Sequence, residues 1–309
     1  MIDGLDALAF TGFLAAAVRV ATPLLLAALG ETVTERGGVI NLGIEGAMLA
    51  GALASAMVAA SGGPWQGLAT AMLLGAMVAL VLGGIVVAAG VNQIIAGTAV
   101  TLACVGLTGA VHRQWVASGT AVSVVPTLAP VPIPLLADLP IVGPALFRQP
   151  PPTYIAMALV PLIAWALFRT RPGLALRATG ESVSMAAAAG VPVRLVRLSV
   201  TVMGGALAGL AGGSLVLGQV GSFAERMTAG RGYVAIAIVV LGRWHPVGAA
   251  LAALVFGVAT ALQFVFQASN SSVPYQLLLV LPYLITLLAL GGAAGRGRAP
   301  ADLGRDSTG

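Results

Sequence analysis

The residues able to do chemistry in this chain fall into four clusters. The first is the run Glu31-Thr-Val-Thr-Glu35-Arg36-Gly-Gly-Val-Ile-Asn41-Leu-Gly43-Ile-Glu45-Gly46. Asn41 and Glu45 lie one helical turn apart, so they share a face where an apolar run begins. An ionisable group entering such a run is costly to bury. Glu45 therefore either serves function, pairs with Arg36 or caps a neighbouring helix. The second cluster is Asn92, Gln93, Thr98 and Thr101, which suits either hydrogen bonding to a polar solute or bonding between helices. The third is Arg19, alone inside an apolar run with Pro23 close by, which needs a wet cavity or an acidic partner. The fourth is Leu176–Pro192, where Ser184–Ala189 favours helix and Gly190 with Pro192 would end it.

Other chemistry is poorly supplied. The two histidines, His112 and His245, are far apart in sequence, and Cys104 is the only cysteine. No metal-ligand spacing and no nucleophile beside a base can be read, so no catalytic or metal-binding residue and no resident cofactor is expected. All basic residues are arginine, and a phosphate-cradling P-loop needs a lysine. If ATP drives this chain, another polypeptide binds it. The arginines sit singly or in pairs between apolar runs rather than on one wet face, which argues against a nucleic-acid partner.

The elements that position these clusters are apolar. Of 309 residues, 59% are hydrophobic and 8% charged, too little charge to wet a surface of that size, so lipid must serve as solvent. Runs long enough to cross a bilayer lie near Leu8–Leu29, Ile44–Ala60, Leu68–Ala89, Ile94–Val111, Tyr154–Phe168, Leu198–Leu217, Val247–Phe266 and Tyr275–Leu290. A shorter piece, Tyr233–Leu241, reads as a half-helix or re-entrant segment that needs protein or water over its ends. The expected fold is an all-α polytopic membrane helix bundle of about nine spans. Residues 1–293 form one transmembrane domain, and residues 294–309 form a polar, disordered tail. Arg169, Arg171, Arg177, Arg194 and Arg197 crowd one loop and make it cytoplasmic by the positive-inside rule. Alternation then puts the N-terminus outside, the tail inside and the proline-rich stretch 112–153 outside, as an extended lid, a docking surface or a spacer. Gly204, Gly205, Gly209, Gly212 and Gly213 recur at helical spacing, the small-residue mode of membrane helix packing.

At these clusters the sequence resembles the permease subunits of bacterial ABC importers for simple sugars, nucleosides and branched-chain amino acids, and looks closest to the nucleoside and simple-sugar permeases. The runs that carry the likeness are PLLLAALGETVTERGGVINLGIEGAMLAGA (23–52), VNQIIAGTAVTL (91–102), RATGESVSMAAAAGVPVRLVRLSVTVMGGALAGLAGG (177–213) and GYVAIAIVVLGRWHPVGAALAALVFG (232–257). The resemblance implies a multi-pass protein of the bacterial inner membrane that pairs with a second permease subunit, often a different chain. It implies a cytoplasmic ATPase pair docked on the loop bearing Arg177, Gly180, Glu181, Ser184, Ala187, Ala188 and Gly190, with Ser184–Gly190 as coupling helix. It implies an external substrate-binding protein and alternating access. Arg19, Asn41, Glu45, Asn92, Gln93 and Thr98 are the candidates for the solute pathway. The alternatives are a branched-chain amino acid or ribose permease, and, in another class, an ion-coupled secondary transporter.

Overall fold

The structure, a computed structural model, describes residues 2–119, 124–140, 142–268 and 299–305, with positions 280 and 284. It is a bundle of helices, as composition requires. In chain order the helices are α1 (Ile2–Arg36), α2 (Ile44–Gly62), α3 (Pro64–Gly83), α4 (Gln93–Ala117), α5 (Val142–Phe147), α6 (Pro151–Arg169), α7 (Arg171–Glu181), α8 (Val183–Ala188), α9 (Val193–Leu215), α10 (Arg231–Leu241) and α11 (Pro246–Ala268). Single π-helical turns extend α3 to Ala88 and α9 to Val220. Among the described residues seven helices are long and apolar enough to cross a bilayer. They match the first seven long runs of the sequence to within a few residues, while α10 is too short to span. The eighth run, Tyr275–Leu290, lies outside the described residues but for Val280 and Leu284.

α9 is the mast around which the bundle forms. Its glycines face several different helices, so backbones approach closely where a side chain would hold them apart. A Cβ on Gly204 would strike Thr34 Oγ1 of α1, one on Gly205 the Ala79 methyl of α3, and one on Gly212 the Met48 carbonyl of α2. Gly209 sits where α2 and α3 both meet α9: a Cβ on Gly51 would lie 2.6 Å from its Cα, and its own Cβ would meet the Ala71 carbonyl. Thr34 Oγ1 adds a hydrogen bond to the Val200 carbonyl at 3.1 Å. Thus the packing of helices α1, α2 and α3 on α9 is decided by these glycines.

α1 carries Pro23 within its length. Proline has no amide hydrogen, so the carbonyl of Arg19, four residues back, loses its helical donor. Gln219, in the π-turn after α9, supplies the replacement, with Nε2 donating to the Arg19 carbonyl at 2.7 Å. Inside a bilayer such a substitute is required, because no water is at hand.

The proline-rich stretch is folded rather than extended. Val131–Pro132 pairs antiparallel with Arg148–Gln149, and α5 forms between them. Gln149 is wholly buried and donates to the Ala15 and Ala145 carbonyls. The amides of Val125 and Leu128 bond the Gly221 and Leu217 carbonyls at 2.7 Å, and both side chains are buried. Residues 124–140 and 142–150 therefore pack against α1 near Ala15 and against the end of α9. Proline bars long regular structure but leaves these short pairings open.

Candidate functional site

The first cluster folds into a buried polar knot at the α1–α2 junction. α1 runs seven residues past the end of the apolar run, to Arg36, which carries Glu31 and Glu35 into the bundle interior. The chain then turns through Gly38, at φ +85°, and climbs back beside α1. Asn41 N–H donates to Glu31 Oε1 at 2.9 Å. Trp244 Nε1–H donates to Glu35 Oε2, and Arg36 Nε donates to the Trp244 carbonyl at 2.8 Å. Glu31 Oε2 and both polar atoms of the Asn41 amide are buried without a hydrogen-bond partner among the described residues. Sequence reasoning missed Glu31 and Glu35 as buried acids, because the hydropathy run ends at Leu29. The available signal was their spacing: Glu31 and Glu35, at i and i+4, continue the helical face that buries Leu24 and Ala28.

Glu45 caps a neighbouring helix. Its Oε1 accepts from Thr228 Oγ1 at 2.6 Å and Gly230 N–H at 2.8 Å, and its Oε2 accepts from Gly232 N–H at 2.7 Å. Those amides are the orphan donors at the start of α10, where the helix dipole also favours a carboxylate. The short helix thus ends inside the bundle with its backbone satisfied by protein, the condition set by its length. At its other end Arg243 and Trp244 both take positive φ in a tight turn into α11, where His245 stacks on Phe168 with ring centroids 4.9 Å apart.

The remaining pathway candidates do not converge. Asn92 is the N-cap of α4, its side chain accepting from Ile94 and Ile95 amides. Gln93 is buried and bridges the chain: Oε1 accepts from Ile40 N–H at 2.8 Å, and Nε2 donates to the Arg305 carbonyl at 3.2 Å. Thr98 is exposed on α4 and bonds back to Ile94 and Ile95 carbonyls. Arg19 is half-buried, with Nε lacking a hydrogen-bond partner among the described residues. Asn41 and Gln93 both attend the 37–43 turn, whereas Arg19 lies midway along α1. Two cavities, of about 300 and 540 Å3, are lined mainly by apolar side chains and include none of the six candidates.

The fourth cluster forms a braced knob. Thr170 caps α7, whose Arg177 donates Nε–H to the Leu167 carbonyl at 3.0 Å and lies over the Phe168 ring. Gly180 abuts the backbone of Arg36 so closely that a Cβ there would strike the Arg36 carbonyl. Ser182 then caps α8, which begins one residue before the expected Ser184 and ends at Ala188, and Gly190 closes the turn at φ +81°. Within α8 only Ala186 is buried; Ser184, Met185, Ala187 and Ala188 face outward, Met185 at 74% exposure. Residues 299–305, expected to be disordered, instead bond this loop and the α1–α2 turn. Asp302 N–H donates to the Gly180 carbonyl at 2.9 Å and Gly304 N–H to the Gly38 carbonyl at 3.3 Å. Polarity argued for disorder, but the exposed backbone groups of two turns supply partners that composition does not reveal.

Such an arrangement defines a polytopic membrane protein with a short helical knob projecting between α7 and α9. Residues 13–290 match the family described as the branched-chain amino acid transport system permease component, and the chain belongs to that family as an ABC transporter permease. It is 36% identical over 305 residues, 92% of each chain, to a protein of Haloferax volcanii provisionally named a glucose ABC transporter permease. It is 32% identical over 290 residues, 91% of each chain, to a guanosine ABC transporter permease of Bacillus subtilis. A nucleoside ABC transporter permease of Lactococcus lactis is 29% identical over 289 residues, covering 90% of this chain and 91% of its own. No solved structure matches the chain.

Proposed function

We propose that this chain is the translocation subunit of an importer for a nucleoside or simple sugar, driven by a separate cytoplasmic ATPase pair and fed by an external binding protein. The observation that carries the reading is the knob: α8 stands clear of the bundle on one buried alanine, and α7 before it is tied to α6 through Thr170 and Arg177 and set against α1 at Gly180. A motor can pull only on a handle that does not bend. The names of the relatives support glucose, guanosine or another nucleoside as solute. Branched-chain amino acids and ribose remain the alternatives within the class. The arginines of 169–197 support a cytoplasmic position for the knob.

The solute pathway runs between two permease subunits rather than through one. The core of the chain is closed by glycine contacts, and of the six polar candidates only Asn92 and Thr98 are exposed, both on α4. An ion-coupled carrier would need acids open to water, whereas Glu45 is held by three donors. Reconstitution in liposomes separates the readings. The chain with a second permease, ATPase and binding protein should accumulate radiolabelled guanosine or glucose on ATP addition, and the chain alone should not. Concentrative uptake by the chain alone under an ion gradient would overturn the proposal.

A further inference from the structure

We propose that residues 299–305 form a strut that positions the coupling helix, and that Asp302 is its key residue, capping α8 from outside the loop. Ser182 Oγ meets the Met185 amide at 3.4 Å, a weak cap, while Asp302 Oδ2 accepts from Val183 N–H at 2.8 Å. Asp302 returns its own N–H to the Gly180 carbonyl at 2.9 Å. The two bonds form a reciprocal cap across more than a hundred residues of chain, matching the local pairing of side chain and backbone at ordinary helix starts. The carboxylate is mostly buried and is itself oriented by Arg305 Nη1 on Oδ1 at 3.0 Å.

The far end of the strut is fixed as firmly. The Arg305 carbonyl accepts from Gln93 Nε2 at the start of α4 and from Arg197 Nη1 in α9, each at 3.2 Å. Gly304 N–H bonds the Gly38 carbonyl, and Leu303 packs on the main apolar core. Gly38, Gly180, Arg197 and Asp302 meet at one point: a Cβ on Gly38 would lie 2.9 Å from Arg197 Nη2, 3.3 Å from the Gly180 Cα and 3.5 Å from the Asp302 carbonyl. A six-residue helix is too short to hold its own shape. Joined through 299–305, a push on α8 reaches α1, α4 and α9 together; without it, the push is absorbed by bending at the 181–183 and 189–192 joins. Asp302 is thus a positioning residue for coupling, touching neither solute nor nucleotide.

The inference rests on the importer reading, so the test uses the full reconstituted complex, scored as solute taken up per ATP hydrolysed. If the unaltered complex takes up no solute with ATP, the importer reading fails first. Given coupled uptake, Asp302→Ala and a chain ending at Arg298 should keep ATP hydrolysis while uptake per ATP falls roughly fivefold, as loss of one helix cap would produce. Asp302→Asn, whose amide oxygen still accepts from Val183 N–H, should restore the ratio. A normal ratio in Asp302→Ala and the shortened chain overturns the proposal. So does an Asp302→Asn chain as defective as Asp302→Ala, or failure of both to accumulate in the membrane, since either shows a general need for the residue rather than a cap.

Discussion

Glu45 shows how one side chain decides the fate of an element. Its carboxylate, itself buried, satisfies Thr228 and two amides that begin α10. Glu45→Ala leaves three buried donors unpaired and should lower stability by about 3–5 kcal/mol, read as a loss of folded protein in detergent-solubilised thermal unfolding. Glu45→Gln keeps one acceptor oxygen and should cost about 1–3 kcal/mol. Equal stability of Glu45→Ala and the parent would refute the capping role. Such a role was visible in sequence only as a question. An acid entering an apolar run had to be satisfied, but Thr228, Gly230 and Gly232 lie more than 180 residues away, and nothing local points to them. Asn92, by contrast, was legible as a polar residue but not as the N-cap of α4, although Asn just before a helical run is a common start signal.

The elements were the most legible scale, because a bilayer imposes one length and one polarity on every crossing helix. α1 outran its hydropathy run since Glu31 and Glu35 each accept a donor from within the bundle, and hydropathy scores a residue without its partners. The glycines of α9 were legible as a packing face, though not their partners. Gly209→Ala drives a methyl into the Ala71 carbonyl and to 2.9 Å from the Gly75 Cα, so α3 must shift. The expected cost is about 1–3 kcal/mol, seen as a lower midpoint of thermal unfolding, and Gly209→Leu should not accumulate as folded protein. Gly190 is a different case. No atom lies within 4 Å of a Cβ there, so a larger residue fits, but φ +81° strains it by about 1–2 kcal/mol. Gly190→Val should leave the bundle folded, its unfolding midpoint lowered by no more than that strain, while ATP hydrolysis and transport separate in the reconstituted complex. A lowered unfolding midpoint with normal coupling would count against the knob.

For the whole molecule, the structure gathers on one side what the sequence scatters: the end of α1, the α7–α8 knob, the Trp244 turn and residues 299–305. Arginine placement supplies the proposed orientation, whereas the attachment of residues 299–305 was not legible, since it depends on backbone groups of two turns that no composition records. The absence of lysine argued for a partner to bind ATP, and under the proposed function that partner grips exposed α8. That claim has a direct test. Cys104, the only cysteine, is buried, so Ser184→Cys on exposed α8 gives a single reactive thiol. A membrane-impermeant maleimide should label Ser184→Cys in inside-out vesicles and not in right-side-out vesicles, and added ATPase should block the labelling. Labelling from the outer face, or labelling that bound ATPase leaves unchanged, would contradict the account.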